Sequence, residues 1–121
     1  MKSLATALLV VLAAVGVAAE KVTVADLLKS PDKYHDKEIT IEGKVSKFEQ
    51  RTSRKGNPYF LFDVNGKDGI HVYGRGKLEP KLENGKTVTV TGKFRKEKKL
   101  GERVIKNEIE VDLKKKPISV K

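Results

Sequence analysis

From Glu38 onward apolar and polar residues alternate along the chain, and glycines punctuate the alternation. Ile39, Ile41 and Val45 alternate with polar neighbours through Glu38 to Gln50, which predicts a long strand with one buried side. The next large apolar side chain falls at Phe48 rather than at residue 47, so the facing changes within the strand, and Gly43 is where it can bulge or bend. Asn57 to Arg75 reads NPYFLFDVNGKDGIHVYGR. Two runs rich in aromatic and β-branched residues, Tyr59 to Val64 and Ile70 to Tyr73, flank the turn signals Asn65-Gly66 and Asp68-Gly69, which predicts a β-hairpin.

The register of that hairpin follows from which faces its side chains share. A two-residue turn at Asn65-Gly66 would oppose Leu61 to Ile70 and leave Phe60, Phe62 and Val64 together on the other face. A five-residue loop, Asn65 to Gly69, opposes Val64 to Ile70 and Phe62 to Val72, collects the large apolar groups on one side and is the register expected. Directly opposed residues project to the same side, so the outer face then carries Tyr59 beside Arg75, Leu61 beside Tyr73 and Asp63 beside His71. Aromatics next to cations on an open sheet face can stack a base or another planar ligand. The plainer reading is cross-strand packing alone.

Two further strands follow. Thr87 to Phe94 alternates without interruption, Val88, Val90, Gly92 and Phe94 inward and Thr87, Thr89, Thr91 and Lys93 outward. The last strand sets Ile105, Ile109, Val111 and Leu113 inward and Glu108, Glu110 and Asp112 outward. Lys77 to Asn84 suits one or two helical turns with Leu78 and Leu82 on one side, shortened by Pro80 and ended by Gly85. Ahead of the strands, Thr23 is an N-cap candidate for a short helix reaching about Lys29, which Ser30-Pro31-Asp32 breaks, and Tyr34 is expected to pack onto the domain. Arg51, Arg54 and Lys55 lie in one basic loop, and Arg95, Lys96, Lys98 and Lys99 in a second, Arg95 to Arg103.

Length and charge narrow this picture. A chain of 121 residues has room for one domain, and 35% charged with 6% aromatic residues implies a small core under a heavily charged surface. Leu4 to Ala19 is almost wholly apolar, follows Lys2 and ends Gly16-Val17-Ala18-Ala19, which reads as an export signal cleaved after Ala19. It falls short of the roughly 20 residues of a spanning helix. The expected division is therefore 1–19 signal, 20–113 domain and 114–121 basic tail, in a periplasmic or secreted protein with no membrane span once the signal is removed. There is no cysteine, so no disulfide and no lipid-bearing cysteine. Net charge is +10, and an excess of this sign favours an anionic partner.

The order of elements resembles the OB-fold: an all-β, five-stranded Greek-key barrel with a short N-terminal helix and a short helix between the third and fourth strands. The wording of the chain carries the likeness through Tyr34-x-x-Lys37-x-Ile39-x-Ile41-x-Gly43-x-Val45, Gly56-Asn57-Pro58-Tyr59-Phe60 and Gly85-Lys86-x-Val88-x-Val90-x-Gly92. In these it looks like nucleic-acid-binding OB domains of the anticodon-binding type, and more narrowly like small exported bacterial versions, over roughly Val22 to Leu113. The resemblance implies a ligand across the outer faces of the second and third strands, between the first-to-second and fourth-to-fifth strand loops. Those places hold Tyr59, Leu61, His71, Tyr73 and Arg75 on the sheet, Arg51, Arg54 and Lys55 in one loop, and Lys93, Arg95, Lys96, Lys98 and Lys99 on the other side. Tyrosines would stack bases and cations would neutralise phosphates.

No catalytic constellation stands out. His35 and His71 lack metal-site spacing, Ser46, Ser53 and Ser119 lack a nucleophile-elbow context, and Asp68 near Asp63 and His71 reads as a turn residue. The carboxylate cluster of exported OB-fold nucleases cannot be assembled. Neither histidine is followed four positions on by tyrosine, as haem chaperones of this fold would require. The expectation is a monomeric, non-enzymatic binding protein without cofactor or metal. Its partner would be single-stranded nucleic acid, nucleotide or another polyanion, with an envelope-stress or protein-interaction role on the same face as the rival.

Overall fold

The computed structural model describes residues 19–121, so the apolar segment read as an export signal lies outside the described residues up to residue 18. Seven strands and two short helices follow in the order β1 (Glu20–Lys21), α1 (Val24–Lys29), α2 (Pro31–Tyr34), β2 (Glu38–Thr52), β3 (Pro58–Val64), β4 (Ile70–Arg75), β5 (Thr87–Leu100), β6 (Arg103–Val111) and β7 (Ile118–Val120). The alternation in β2 is long enough to serve two partners. Its first half pairs antiparallel with β5, Glu38 opposite Lys93 through Lys44 opposite Thr87, and its second half pairs antiparallel with β3. Between the halves the register slips between Ser46 and Glu49, with Lys47 at φ 53°. This bulge is the change of facing that Phe48 announces, and it turns the strand from one partner to the other. Gly43 has a different task. A Cβ there would come within 2.5 Å of Asn65 Oδ1 and Val64 Cγ1, so its absence lets the β3–β4 loop lie against β2, where the Lys44 N–H donates to Asn65 Oδ1 at 3.0 Å.

The β3–β4 hairpin has the five-residue loop and the register that burying its phenylalanines requires: Val64 opposite Ile70, Phe62 opposite Val72 and Tyr59 opposite Arg75. β6 then runs parallel to β4 and antiparallel to β5, so that β2, β3, β4, β6 and β5 close on themselves. Inside lie Phe60, Phe62, Phe94, Ile39, Ile41, Ile70, Val72, Val90 and Ile109, all at most 1% exposed, with Leu27 of α1 and Tyr34 of α2 covering one end. Thr23 caps α1 through its hydroxyl, which accepts from the Asp26 N–H at 3.0 Å. β1 adds to β2 and β7 to β5, on strand edges the barrel leaves open.

Four sequence expectations are corrected. The helix expected between the third and fourth strands, Lys77 to Asn84, does not form, because Pro80 supplies no N–H and restricts Glu79, while the Leu78 N–H donates instead to Gln50 Oε1 at 3.0 Å. Leu78 and Leu82 still reach the core. The basic segment from Lys114 is not a tail beyond the fold: it enters a 3-10 turn at Leu113–Lys115 and then β7, whose pairing with Val88 to Val90 is flanked by the Thr91 N–H donating to the Pro117 carbonyl at 2.8 Å. Arg95 to Arg103 is not a loop, since β5 and β6 pair out to Leu100 opposite Arg103 and form a projecting hairpin arm. Arg51 is likewise a strand residue, opposite Tyr59.

Candidate functional site

The β3–β4 hairpin presents its polar side outward, and the register extends that face across the neighbouring strands. One row runs Glu49, Leu61, Tyr73, Glu110 and Lys93 across β2, β3, β4, β6 and β5, and Lys93 in turn lies opposite Glu38. The next row runs Ser46, Asp63, His71, Glu108 and Arg95. At the other end Arg51, Tyr59 and Arg75 stand side by side. The sheet thus brings together most of the residues read as a ligand platform.

Tyr59 and Tyr73 meet there, ring centroids 5.9 Å apart and tilted by 40°. Both are half-buried, and with Ser53, Asn57, Pro58, Arg75 and Gly76 they line a shallow depression of about 590 Å³. Tyr73, Arg75 and Gly76 also border a second depression, toward Leu113 and Lys114, so the tyrosine–arginine edge stands between two open surfaces. The backbone behind it is fixed by Gln50, whose Nε2 donates to the Tyr59 carbonyl at 2.8 Å and to the Gly76 carbonyl at 3.1 Å. Sequence reading passes over Gln50, because nothing local marks a side chain that reaches two other segments.

The cations are less uniformly available than the sequence suggests. The Arg51 guanidinium donates to both oxygens of Glu49, at 2.7 and 2.8 Å. Arg95 lies between Glu110 at 3.1 Å and Asp36 at 3.3 Å. Lys96 turns away to Asp32 on α2, and each holds the other in its charged form: the Asp32 carboxyl is lowered and the Lys96 ammonium raised by their hydrogen bond. Its backbone N–H donates to His35 Nδ1 at 3.1 Å. Among the described residues, Arg54, Lys55, Arg75, Lys93 and Lys99 form no ion pair, and Lys93 faces Glu38 and Glu110 in its row. Lys99 stands out on the hairpin arm, beside the exposed Leu100 and across from the exposed Val104.

Glu108 departs most from its expected solvent-facing place. It is 2% exposed, and its Oε1, which makes no directional hydrogen bond, is compensated by Lys98 Nζ at 2.6 Å. Burial pushes its carboxyl above the usual range, against the opposing pull of Lys98. The same ammonium lies 4.6 Å from the Tyr73 ring centroid, so Lys98 is both the counter-ion of Glu108 and a cation–π neighbour of the platform. His71 is held by Asp63, Nδ1 to Oδ1 at 2.6 Å. Among the described residues no group of three or more His, Asp or Glu side chains is arranged to hold a metal ion, and no helix is long and apolar enough to cross a membrane.

A barrel of five strands closed in the order β2-β3-β4-β6-β5, with β4 and β6 parallel and an open face on β3–β4, defines this chain as an OB-fold domain. The crystal structure of yeast Stn1 and Ten1 contains a similar fold, with a TM-score of 0.54 and 15% sequence identity over 86% of this chain and 63% of that one. This chain therefore spans less than two thirds of the neighbour's length, and at that identity the likeness is one of fold. No protein-family model matches the chain, and comparison with curated proteins finds no match.

Proposed function

We propose that this protein is an exported, non-catalytic OB-fold domain that binds single-stranded nucleic acid or nucleotide on the outer face of β3–β4. The observation that carries the reading is the Tyr59–Tyr73 pair, adjacent at 5.9 Å, half-open to solvent and bordered by Arg75 and the β2–β3 loop that bears Arg54 and Lys55. Rings in such a setting offer faces to unstacked bases, which a duplex does not present. Arg54, Lys55 and Arg75, each exposed and without an ion pair, are placed to meet phosphate. Arg51, Arg95, Lys96 and Lys98 are engaged with carboxylates.

Fluorescence anisotropy with labelled single-stranded and duplex oligonucleotides tests this. Single strands bind more tightly than duplex, and Tyr59→Ala with Tyr73→Ala removes the difference. Each lost stack weakens binding by about 1–3 kcal/mol. Unchanged affinity and salt sensitivity in the double variant refute the proposal.

A second reading, a partner protein on the same open side, draws on the exposed Val104 of the β5–β6 arm, which lines a depression with Leu61, Asp63 and His71. It gains ground if oligonucleotide binding is weak, vanishes with salt and ignores the tyrosines.

A further inference from the structure

We infer that this face, read as the nucleotide site above, is built for a ligand one to three nucleotides long, a planar ring with one to three phosphates, and not for an extended strand. The first support is the extent of the platform. Its aromatic part is the two rings of Tyr59 and Tyr73, and the next row sets the Asp63 carboxylate, joined to His71 at 2.6 Å, beside them.

The second is the distribution of charge. Across the face from the tyrosines two cations come already matched to acids, Arg95 to Glu110 and Asp36 and Lys98 to Glu108, while Lys93 stands opposite Glu38 and Glu110 in the register without an ion pair. A strand laid there would have to displace these carboxylates. The cations without an ion pair that border the two tyrosine depressions are Arg75, Lys114 and the pair Arg54 and Lys55 on the β2–β3 loop.

Counterion release turns this into a number. With two or three phosphate contacts, binding weakens roughly 7- to 20-fold between about 50 and 200 mM salt, whereas engagement of every cation named from the sequence would cost more than about 10³-fold.

The experiment titrates the protein with fluorescein-labelled oligothymidylates of about two, four, eight and sixteen nucleotides at both salt concentrations, beside the Tyr59→Ala, Tyr73→Ala variant and an Asp63→Asn variant that keeps a hydrogen-bonding side chain next to His71. Affinity is expected to level off by about four nucleotides, rising afterwards only with the number of overlapping positions, roughly tenfold at sixteen, and to show the shallow salt dependence. Asp63→Asn is expected to favour the sixteen-mer over the four-mer, because it removes the charge beside the platform. Tyrosine-dependent binding that gains more than about a hundredfold from four to sixteen nucleotides, with the steep salt dependence, overturns the short-ligand inference and leaves the site standing. Binding that ignores the tyrosines at every length overturns the nucleotide site itself, and this inference with it.

Discussion

Replacing Lys98 with methionine isolates the buried carboxylate of Glu108, and the structure sets how large the effect is. Methionine keeps most of the aliphatic stem and removes the ammonium 2.6 Å from Glu108 Oε1. Removing one partner of a buried pair costs about 3–5 kcal/mol, and the 17% exposure of the Lys98 side chain places this case near 3 kcal/mol at about pH 8. The loss depends on pH in a definite direction. Burial already holds the Glu108 carboxyl above its ordinary 4.5, and Lys98 is the main opposing influence, so its removal raises the carboxyl further. The folded variant then keeps a proton that the unfolded chain has released. Stability is retained below about pH 4.5 and falls as pH rises toward the folded value, by up to about 1.4 kcal/mol per pH unit.

Urea denaturation followed by circular dichroism at about pH 5 and pH 8 measures this: a deficit near 3 kcal/mol at the higher pH and a clearly smaller one at the lower. Glu110 and His71 also act on Glu108, but they are common to both proteins and largely cancel in the difference. Adding Glu108→Gln to the variant is expected to restore most of the loss at pH 8. A deficit that is equal at both pH values, or that Glu108→Gln does not relieve, refutes the reasoning.

Gln50→Ala removes three hydrogen bonds, to the Tyr59 and Gly76 carbonyls and from the Leu78 N–H, and is expected to cost about 2–3 kcal/mol in the same assay while loosening the backbone beneath Tyr59. Gly92→Ala would bring a Cβ within 2.4 Å of the Glu110 carbonyl and 2.8 Å of Ile109 Cγ2, forcing β5 and β6 apart, and is expected to lower stability by at least about 2 kcal/mol.

The fold was legible wherever burial imposes a period. The Phe60, Phe62 and Val64 face selected the hairpin loop length, and with it the pairing of Tyr59 with Arg75. The uninterrupted alternation from Val88 to Phe94 defined β5 as far as its buried half extends. Legibility failed where the strand leaves the core. Beyond Phe94, Glu97, Lys98 and Lys99 pair as strand residues without burying an apolar face, so they read as a loop. β7 was obscured by the lysines before it, since three residues added to an edge leave little periodic trace. The tyrosine platform was visible because cross-strand neighbours follow from register alone. The neutralisation of its surroundings was not, because Arg95 with Asp36 and Lys98 with Glu108 are contacts between segments whose approach only the closed barrel decides.

The parallel pairing of β4 with β6 also bears on how the chain folds. β3–β4 and β5–β6 are hairpins of neighbouring segments, whereas β4–β6 and β2–β5 join parts of the chain far apart in sequence and carry a loop-closure cost before any contact repays it. Tyr59 and Tyr73 are therefore expected to come together early, in a local hairpin. Glu108, Lys98 and Glu110 arrive beside them only when the two hairpins dock. Until that step the aromatic pair is expected to stand on a ribbon without its electrostatic surroundings, which form with barrel closure, the slower stage expected for pairings far apart in sequence.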